Sequence, residues 1–131
     1  MKVLIADDSA MVRERLASLI SELEAVELIG QTEDASETLR AVRQLRPDVV
    51  ILDIHIPGGG IQVLEAIKKD ATAPLVIILT ALSYPQYRRR CLEAGAEFFF
   101  DKSTGFDRVV EVLQNLSGDT SHEPATNRRN P

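Results

Sequence analysis

The stretch Asp48-Val49-Val50-Ile51-Leu52-Asp53 constrains the fold more than any other part of the chain. Four consecutive apolar residues read as a strand buried on both faces, as in the middle of a parallel sheet covered by helices. The strand ends on a carboxylate, and Pro57 with Gly58-Gly59-Gly60 then forces an irregular loop. An aspartate at the carboxyl end of a central parallel strand lies where open α/β sheets bind ligands. Aspartate also commonly starts a turn, and this stretch alone does not separate the two readings.

The rest of the chain supplies the partners for such a strand. Lys2 to Ala6 is apolar and then abruptly acidic at Asp7-Asp8, with Ser9 suited to cap a helix. Val12, Leu16, Leu19, Ile20 and Leu23 form one helical face. Val26 to Gln31, interrupted by Glu27 and Gly30, reads as a weaker edge strand. Asp34-x-x-Glu37 has the form of a capping box, and Ala35, Leu39 and Val42 stripe a helix that Pro47 stops. Ile61, Leu64 and Ile67 stripe a third helix. Pro74 opens the strand Leu75 to Thr80, and Pro85 suits the first turn of a fourth helix. That helix turns Tyr87, Cys91 and Ala94 inward and ends with Gly95 at C′. Glu97 to Asp101 is a fifth strand, and Phe106, Val109, Val110, Leu113 and Leu116 lie on a last helix. Strands alternating with helices of about three turns predict a doubly wound parallel α/β sheet.

A chain of 131 residues suits one domain with one sizeable core. The expected division is a domain over 1–117 and a disordered tail over 118–131, where Ala125 is the only apolar residue. The net charge of −5 disfavours non-specific binding to DNA or to anionic membranes. Cys91 is the only cysteine, which rules out an internal disulfide and a cysteine-based metal cluster. No apolar run approaches the ~20 residues of a membrane helix. These features predict a cytoplasmic protein.

Five polar residues gather at the strand ends: Asp7 and Asp8 after the first strand, Asp53 after the third, Thr80 ending the fourth and Lys102 after the fifth. In a doubly wound sheet these ends converge on one crevice. Crowded carboxylates repel one another, and a hard divalent cation such as Mg²⁺, which takes carboxylate and phosphate oxygens, resolves the repulsion. A metal, a nucleophilic carboxylate, a hydroxyl and an ammonium together suit phosphoryl transfer through an aspartyl-phosphate. Taken singly, Asp7-Asp8 also reads as an acidic helix start, Thr80 as an ordinary strand end and Lys102 as a solvated lysine.

With these residues in place, the chain resembles a response-regulator receiver domain of bacterial two-component signalling. The resemblance runs from about Lys2 to Leu116. It rests on Val3-Leu4-Ile5-Ala6-Asp7-Asp8, Pro47 to Asp53, Pro57, Leu79-Thr80-Ala81, Glu93-Ala94-Gly95-Ala96 and Asp101-Lys102. The wording is closest to receivers fused to helix-turn-helix output domains. The resemblance implies five parallel strands in the order 2-1-3-4-5 flanked by five helices, a flavodoxin-like fold. It implies phosphorylation of Asp53 by a histidine kinase or phosphotransfer protein. It implies Mg²⁺ held by Asp8, Asp53 and the His55 carbonyl, with Asp7 acting through water. Thr80 and Lys102 would bind the phosphoryl oxygens, and Phe99 matches the aromatic switch position. Thr80 drawn toward a phosphoryl group would leave space that Phe99 could rotate to fill.

Three departures accompany this likeness. The loop Gly58-Gly59-Gly60 is one residue shorter than the common pattern and lacks its Asp-Gly pair. His55 borders the attacking water and is expected either to assist or to obstruct dephosphorylation. Ser103 stands where many receivers have a cis proline; a non-prolyl cis bond costs ~3 kcal/mol, which favours trans, and the sequence alone does not decide the isomer. The expected function is a stand-alone phosphoacceptor switch rather than an enzyme. Its signal would leave by contact with a downstream protein, without direct DNA or membrane binding. A homodimer through the face of the fourth helix, fifth strand and last helix is a further possibility. Arg88-Arg89-Arg90 on that face reads as a solvated basic stripe or as a site for an acidic partner. The alternatives are a pseudo-receiver scaffold, a Mg²⁺-dependent aspartyl-phosphate phosphatase and a flavin-binding flavodoxin-like protein. The phosphatase would want Asp-x-Asp after the first strand and a cap domain. The flavoprotein would want a neutral phosphate loop where Asp7-Asp8 stands.

Overall fold

The computed structural model describes residues 1–119. The elements run β1 (Lys2–Ala6), α1 (Ala10–Ser21), β2 (Glu27–Thr32), α2 (Ala35–Leu45), β3 (Val49–Leu52), α3 (Gly60–Ile67), β4 (Leu75–Thr80), α4 (Pro85–Glu93), β5 (Phe98–Asp101) and α5 (Phe106–Ser117). All five strands are parallel, in the order β2-β1-β3-β4-β5. The sheet is therefore the doubly wound one expected, with every carboxyl end on one edge.

Alternation along each strand splits the core into two layers. Leu4, Ala6, Val50, Leu52, Val76 and Ile78 pack with Ile61, Leu64 and Ile67 of α3 and Cys91 of α4 on one side. Val3, Ile5, Val49, Ile51, Ile77 and Leu79 pack with Leu16 and Ile20 of α1 and with Val109 and Leu113 of α5 on the other. β1, β3 and β4 are central, and burial of each large aliphatic side chain contributes about 1.5–3 kcal/mol. β2 and β5 are the edges, and β2 is the weaker strand that Glu27 and Gly30 foretold.

The local signals act much as expected. Ser9 caps α1 by accepting from the Val12 N–H at 3.3 Å, Pro85 opens α4, and Gly95 follows its cap with φ 108°. Asp34 caps α2 by accepting from the Glu37 N–H at 2.9 Å, but Glu37 takes the N–H of Glu33 rather than that of Asp34. The reciprocal half of the box is thus displaced by one residue, because Asp34 is extended (φ −143°) and the preceding amide comes within reach. Thr38, not the Leu39 stripe, is the fully buried residue of α2; its hydroxyl donates to the Asp34 carbonyl at 2.7 Å. Leu116 points outward and is 41% exposed, since α5 buries only the face that meets the sheet. Gly118 caps α5 in the left-handed region, and the Asp119 carboxylate accepts the Ala25 N–H. The stretch expected as a tail lies outside the described residues from 120 onward.

At the pole opposite the crevice, Lys68 ties three elements together. Its ammonium donates to the Pro74 carbonyl at 2.8 Å and pairs with Glu97 at 2.9 Å, while Glu97 accepts the Val76 N–H at 2.8 Å. On the crevice side, the short loop after Asp53 takes a tight path. Gly60 lies so close to the Asp53 carbonyl and the Ile54 backbone that a Cβ would collide with both. Gly58 adopts φ +90° and packs against Ala35, whose N–H donates to the Pro57 carbonyl at 2.9 Å. The glycines let a loop without the Asp-Gly pair pass beneath Asp53 and lean on α2.

Gly60→Ala should therefore destabilise the fold by about 1–3 kcal/mol through overpacking against backbone. Gly118→Ala, with nothing near its Cβ, should cost only the left-handed backbone penalty of about 1 kcal/mol. Urea unfolding midpoints would separate the two, and equal losses would disprove the close approach. Cys91 is fully buried, and burial pushes its thiol up to about 11. The native protein should thus react with a thiol reagent only at its rate of opening; prompt labelling in buffer would contradict this.

Candidate functional site

The carboxyl edge brings together the residues that the sequence scatters. β1 delivers Asp7, which is buried, and β3 delivers Asp53, also buried. Neither carboxylate is alone. The Lys102 ammonium, arriving just after β5, lies 2.8 Å from Asp7 Oδ2 and 2.9 Å from Asp53 Oδ2. Its backbone is set by β4, because the Lys102 N–H donates to the Thr80 carbonyl at 2.9 Å. Asp53 Oδ1 accepts the His55 N–H at 3.0 Å, which closes the turn after the strand. Asp53 thus starts the turn, and its carboxylate lies at the crevice beside Lys102.

Asp8 is exposed, yet one carboxylate oxygen from each of Asp7, Asp8 and Asp53 falls within 4.8 Å of the others. An oxygen-only set of this density, with one member open to solvent, fits a hard cation that keeps part of its water. An all-carboxylate set suits Mg²⁺ better than zinc, which favours nitrogen and sulfur ligands. The side chain of His55 is exposed, and no second histidine lies among the described residues.

The electrostatics match this arrangement. Burial pushes the Asp7 carboxyl above its usual range, against the pull of hydrogen bonds from Lys102 and the Ser9 N–H. Burial also disfavours the Lys102 ammonium, but hydrogen bonds to Asp7 and Asp53 outweigh it and hold the group above its ordinary value. The lysine thus acts as a counter-charge to a strained acidic pair. Next to it, the Ser83 hydroxyl and the Ser103 N–H and hydroxyl hold Asp101 down to about 2, which fixes the turn out of β5. No cis peptide occurs among the described residues, so the bond between Lys102 and Ser103 is trans.

Thr80 is fully buried, and its hydroxyl oxygen accepts the Leu82 N–H at 3.1 Å. Phe99 is already in the core, 6% exposed. Any rearrangement there starts from an inward ring rather than from an exposed one. Arg88 leaves the basic stripe, donating from Nη1 to the Phe99 carbonyl at 3.2 Å with its guanidinium 5.8 Å from the ring centroid. Arg89 and Arg90 are exposed, as are Leu92 on the same helix and Tyr84 at its N-cap.

Two further contacts at the crevice have no signature in the sequence. Arg13 reaches back from α1 to donate from Nη1 to the Asp7 carbonyl at 2.8 Å, and the Ser9 N–H donates to Asp7 Oδ1 at 2.9 Å. A shallow apolar depression of about 190 Å³ also adjoins Lys102, lined by Met11, Val12, Arg15 and Phe106. Met11 on its rim is 81% exposed.

Comparison with known proteins points the same way. A sequence profile of the response regulator receiver domain matches residues 3–114. Response regulator GacA of Pseudomonas aeruginosa is 27% identical over 88% of this chain and 54% of its own length. The DNA-binding transcriptional activator EvgA of Escherichia coli is 30% identical over 87% of this chain and 56% of its own. The chain thus spans about half the length of these curated relatives. Among solved structures, the signal receiver domain of NarL from Mycobacterium tuberculosis superposes with a TM-score of 0.82 at 25% identity, over 89% of this chain and 95% of that one. A chain of the CheX-CheY-BeF3-Mg²⁺ complex from Borrelia burgdorferi gives 0.80 at 28% identity, over 88% of each.

If Lys102 is the counter-charge to the acidic pair, Lys102→Met should destabilise the metal-free protein by about 2 kcal/mol, because buried carboxylates would be left unpaired. Adding Asp53→Asn should recover part of that loss. Urea unfolding in a chelator measures both, and a Lys102→Met protein as stable as wild type would refute the assignment.

Proposed function

The chain belongs to the response regulator receiver domain family, and on that premise we propose that residues 1–117 form a phosphoryl-accepting switch with Asp53 as the acceptor. The observation that carries this reading is the Lys102 ammonium held between buried Asp7 and Asp53, with the exposed Asp8 carboxylate beside them. A scaffold with no chemistry has no need to keep three carboxylates at one strand edge against their mutual repulsion.

In the proposed reaction an Asp53 carboxylate oxygen attacks the phosphorus of a phosphohistidine on a kinase or phosphotransfer protein. The new O–P bond forms as the P–N bond breaks, and the electron pair leaves with the imidazole nitrogen. Asp8, Asp53 and the His55 carbonyl, with Asp7 through water, would hold Mg²⁺. When bound, Mg²⁺ supplies charge neutralisation for the phosphoryl oxygens. The chain's own groups do the rest. Lys102 turns from the carboxylates to a phosphoryl oxygen, and the Thr80 hydroxyl gives up the Leu82 amide to donate to another. Burial of Asp53 keeps the acceptor in place and limits water. The apolar depression beside Lys102, with exposed Met11 on its rim, offers the phosphodonor protein a footing next to the acceptor.

The added negative charge then acts through Thr80 and Phe99 on the surface of α4, β5 and α5. Exposed Tyr84 and Leu92 there suit contact with a downstream protein or a second copy of the chain. The reading is of a switch, not of an enzyme turning over a separate substrate, and it operates in the cytoplasm. Among the described residues no helix is long and apolar enough to cross a membrane. The expectation that DNA binding plays no part is withdrawn. EvgA is a DNA-binding activator, and this chain matches only 56% of it.

Acetyl phosphate with Mg²⁺ should add one phosphoryl group to the intact mass, and Asp53→Ala should abolish the gain. Labelling that persists in Asp53→Ala would remove Asp53 as the acceptor.

A further inference from the structure

Asp7 is held at every polar group. Its N–H donates to the Thr32 carbonyl at 3.0 Å, and its carboxylate takes Lys102 and the Ser9 N–H. The remaining group is its carbonyl, and that is where Arg13 donates at 2.8 Å. Arg13 stands in α1 one turn beyond the cap, its own N–H bonded to the Ser9 carbonyl at 3.0 Å. Its side chain therefore folds back over the start of the helix. The contact is half-buried, so water competes with it poorly.

The Asp7 carbonyl belongs to the peptide that joins Asp7 to Asp8. That peptide is planar, so holding its oxygen restrains the plane from which the Asp8 Cα projects and narrows the directions its side chain can take. Asp8 needs such help. It is the exposed member of the acidic trio, and among the described residues no hydrogen bond or ion pair holds its side chain, whereas Asp7 and Asp53 are gripped by Lys102 and backbone amides. We infer that Arg13 is a positioning residue for the divalent-cation site, setting the Asp7–Asp8 peptide so that the Asp8 carboxylate faces the other two. The inference rests on the metal-site reading above and goes beyond it, because Arg13 carries the wrong charge to be a ligand.

That wrong charge makes the test decisive. A guanidinium near a cation site repels the cation, so electrostatics alone predicts that removing it tightens binding. A positioning role predicts the opposite, weakening by about tenfold, the scale on which partners of metal ligands act. Mg²⁺ would be titrated calorimetrically into the unphosphorylated full chain, comparing wild type with Arg13→Met, Arg13→Gln and Asp8→Asn. Arg13→Met keeps the apolar stem and the helix propensity, and either Arg13 variant that folds decides the matter.

The expected result is a Mg²⁺ Kd raised about tenfold in the Arg13 variants, with unfolding midpoints in chelator close to wild type. Binding as tight as wild type, or tighter, in a folded Arg13 variant while Asp8→Asn loses it would overturn the role of Arg13 alone. Absence of Mg²⁺ binding by wild type, or undiminished binding by Asp8→Asn, would overturn the metal-site reading and this inference with it.

Discussion

The ammonium of Lys102 between Asp7 and Asp53 is the contact on which the upper edge of this molecule depends. A parallel sheet whose central strands end in aspartates concentrates negative charge where the backbone gives little room for water. With both carboxylates buried and only 2.8 and 2.9 Å from the same nitrogen, one lysine offsets what would otherwise be a costly repulsion. Burial still pushes the Asp7 carboxyl upward, against the pull of hydrogen bonds from Lys102 and the Ser9 N–H.

The rest of the fold serves to bring those three groups into register. β1, β3 and β4 are aligned residue by residue, Ala6 with Leu52 and Leu52 with Ile78, so that their ends emerge level. Two apolar layers clamp the sheet, and the loop after Asp53 can pass close beneath it only because Gly60 has no side chain. Lys68 and Glu97 perform a comparable pinning at the other pole.

Much of this was legible beforehand. The unbroken apolar run before Asp53, the Ser9 cap, Pro85 at the start of α4 and Gly95 at its end are local signals. Local signals survive folding because they depend on backbone geometry within a few residues. The misses share the opposite character. Glu37 caps Glu33 instead of Asp34, and Leu116 faces water although it continues an apolar stripe. Arg88 leaves its basic run for the Phe99 carbonyl, and Arg13 finds the Asp7 carbonyl. Each outcome is decided by where a long or terminal side chain meets another element, and no spacing rule encodes that.

The sequence by itself determined the alternation of strands and helices, the parallel doubly wound sheet and the placement of Asp7, Asp8, Asp53, Thr80 and Lys102 at strand ends. Apolar periodicity and turn chemistry are properties of contiguous residues. Only the tertiary structure decided that one lysine bridges two of the carboxylates while the third stays open to solvent. It alone also set an arginine of α1 on the peptide between Asp7 and Asp8. Those are distances between residues up to about a hundred positions apart, set by strand order and core packing, and a linear pattern carries no measure of them.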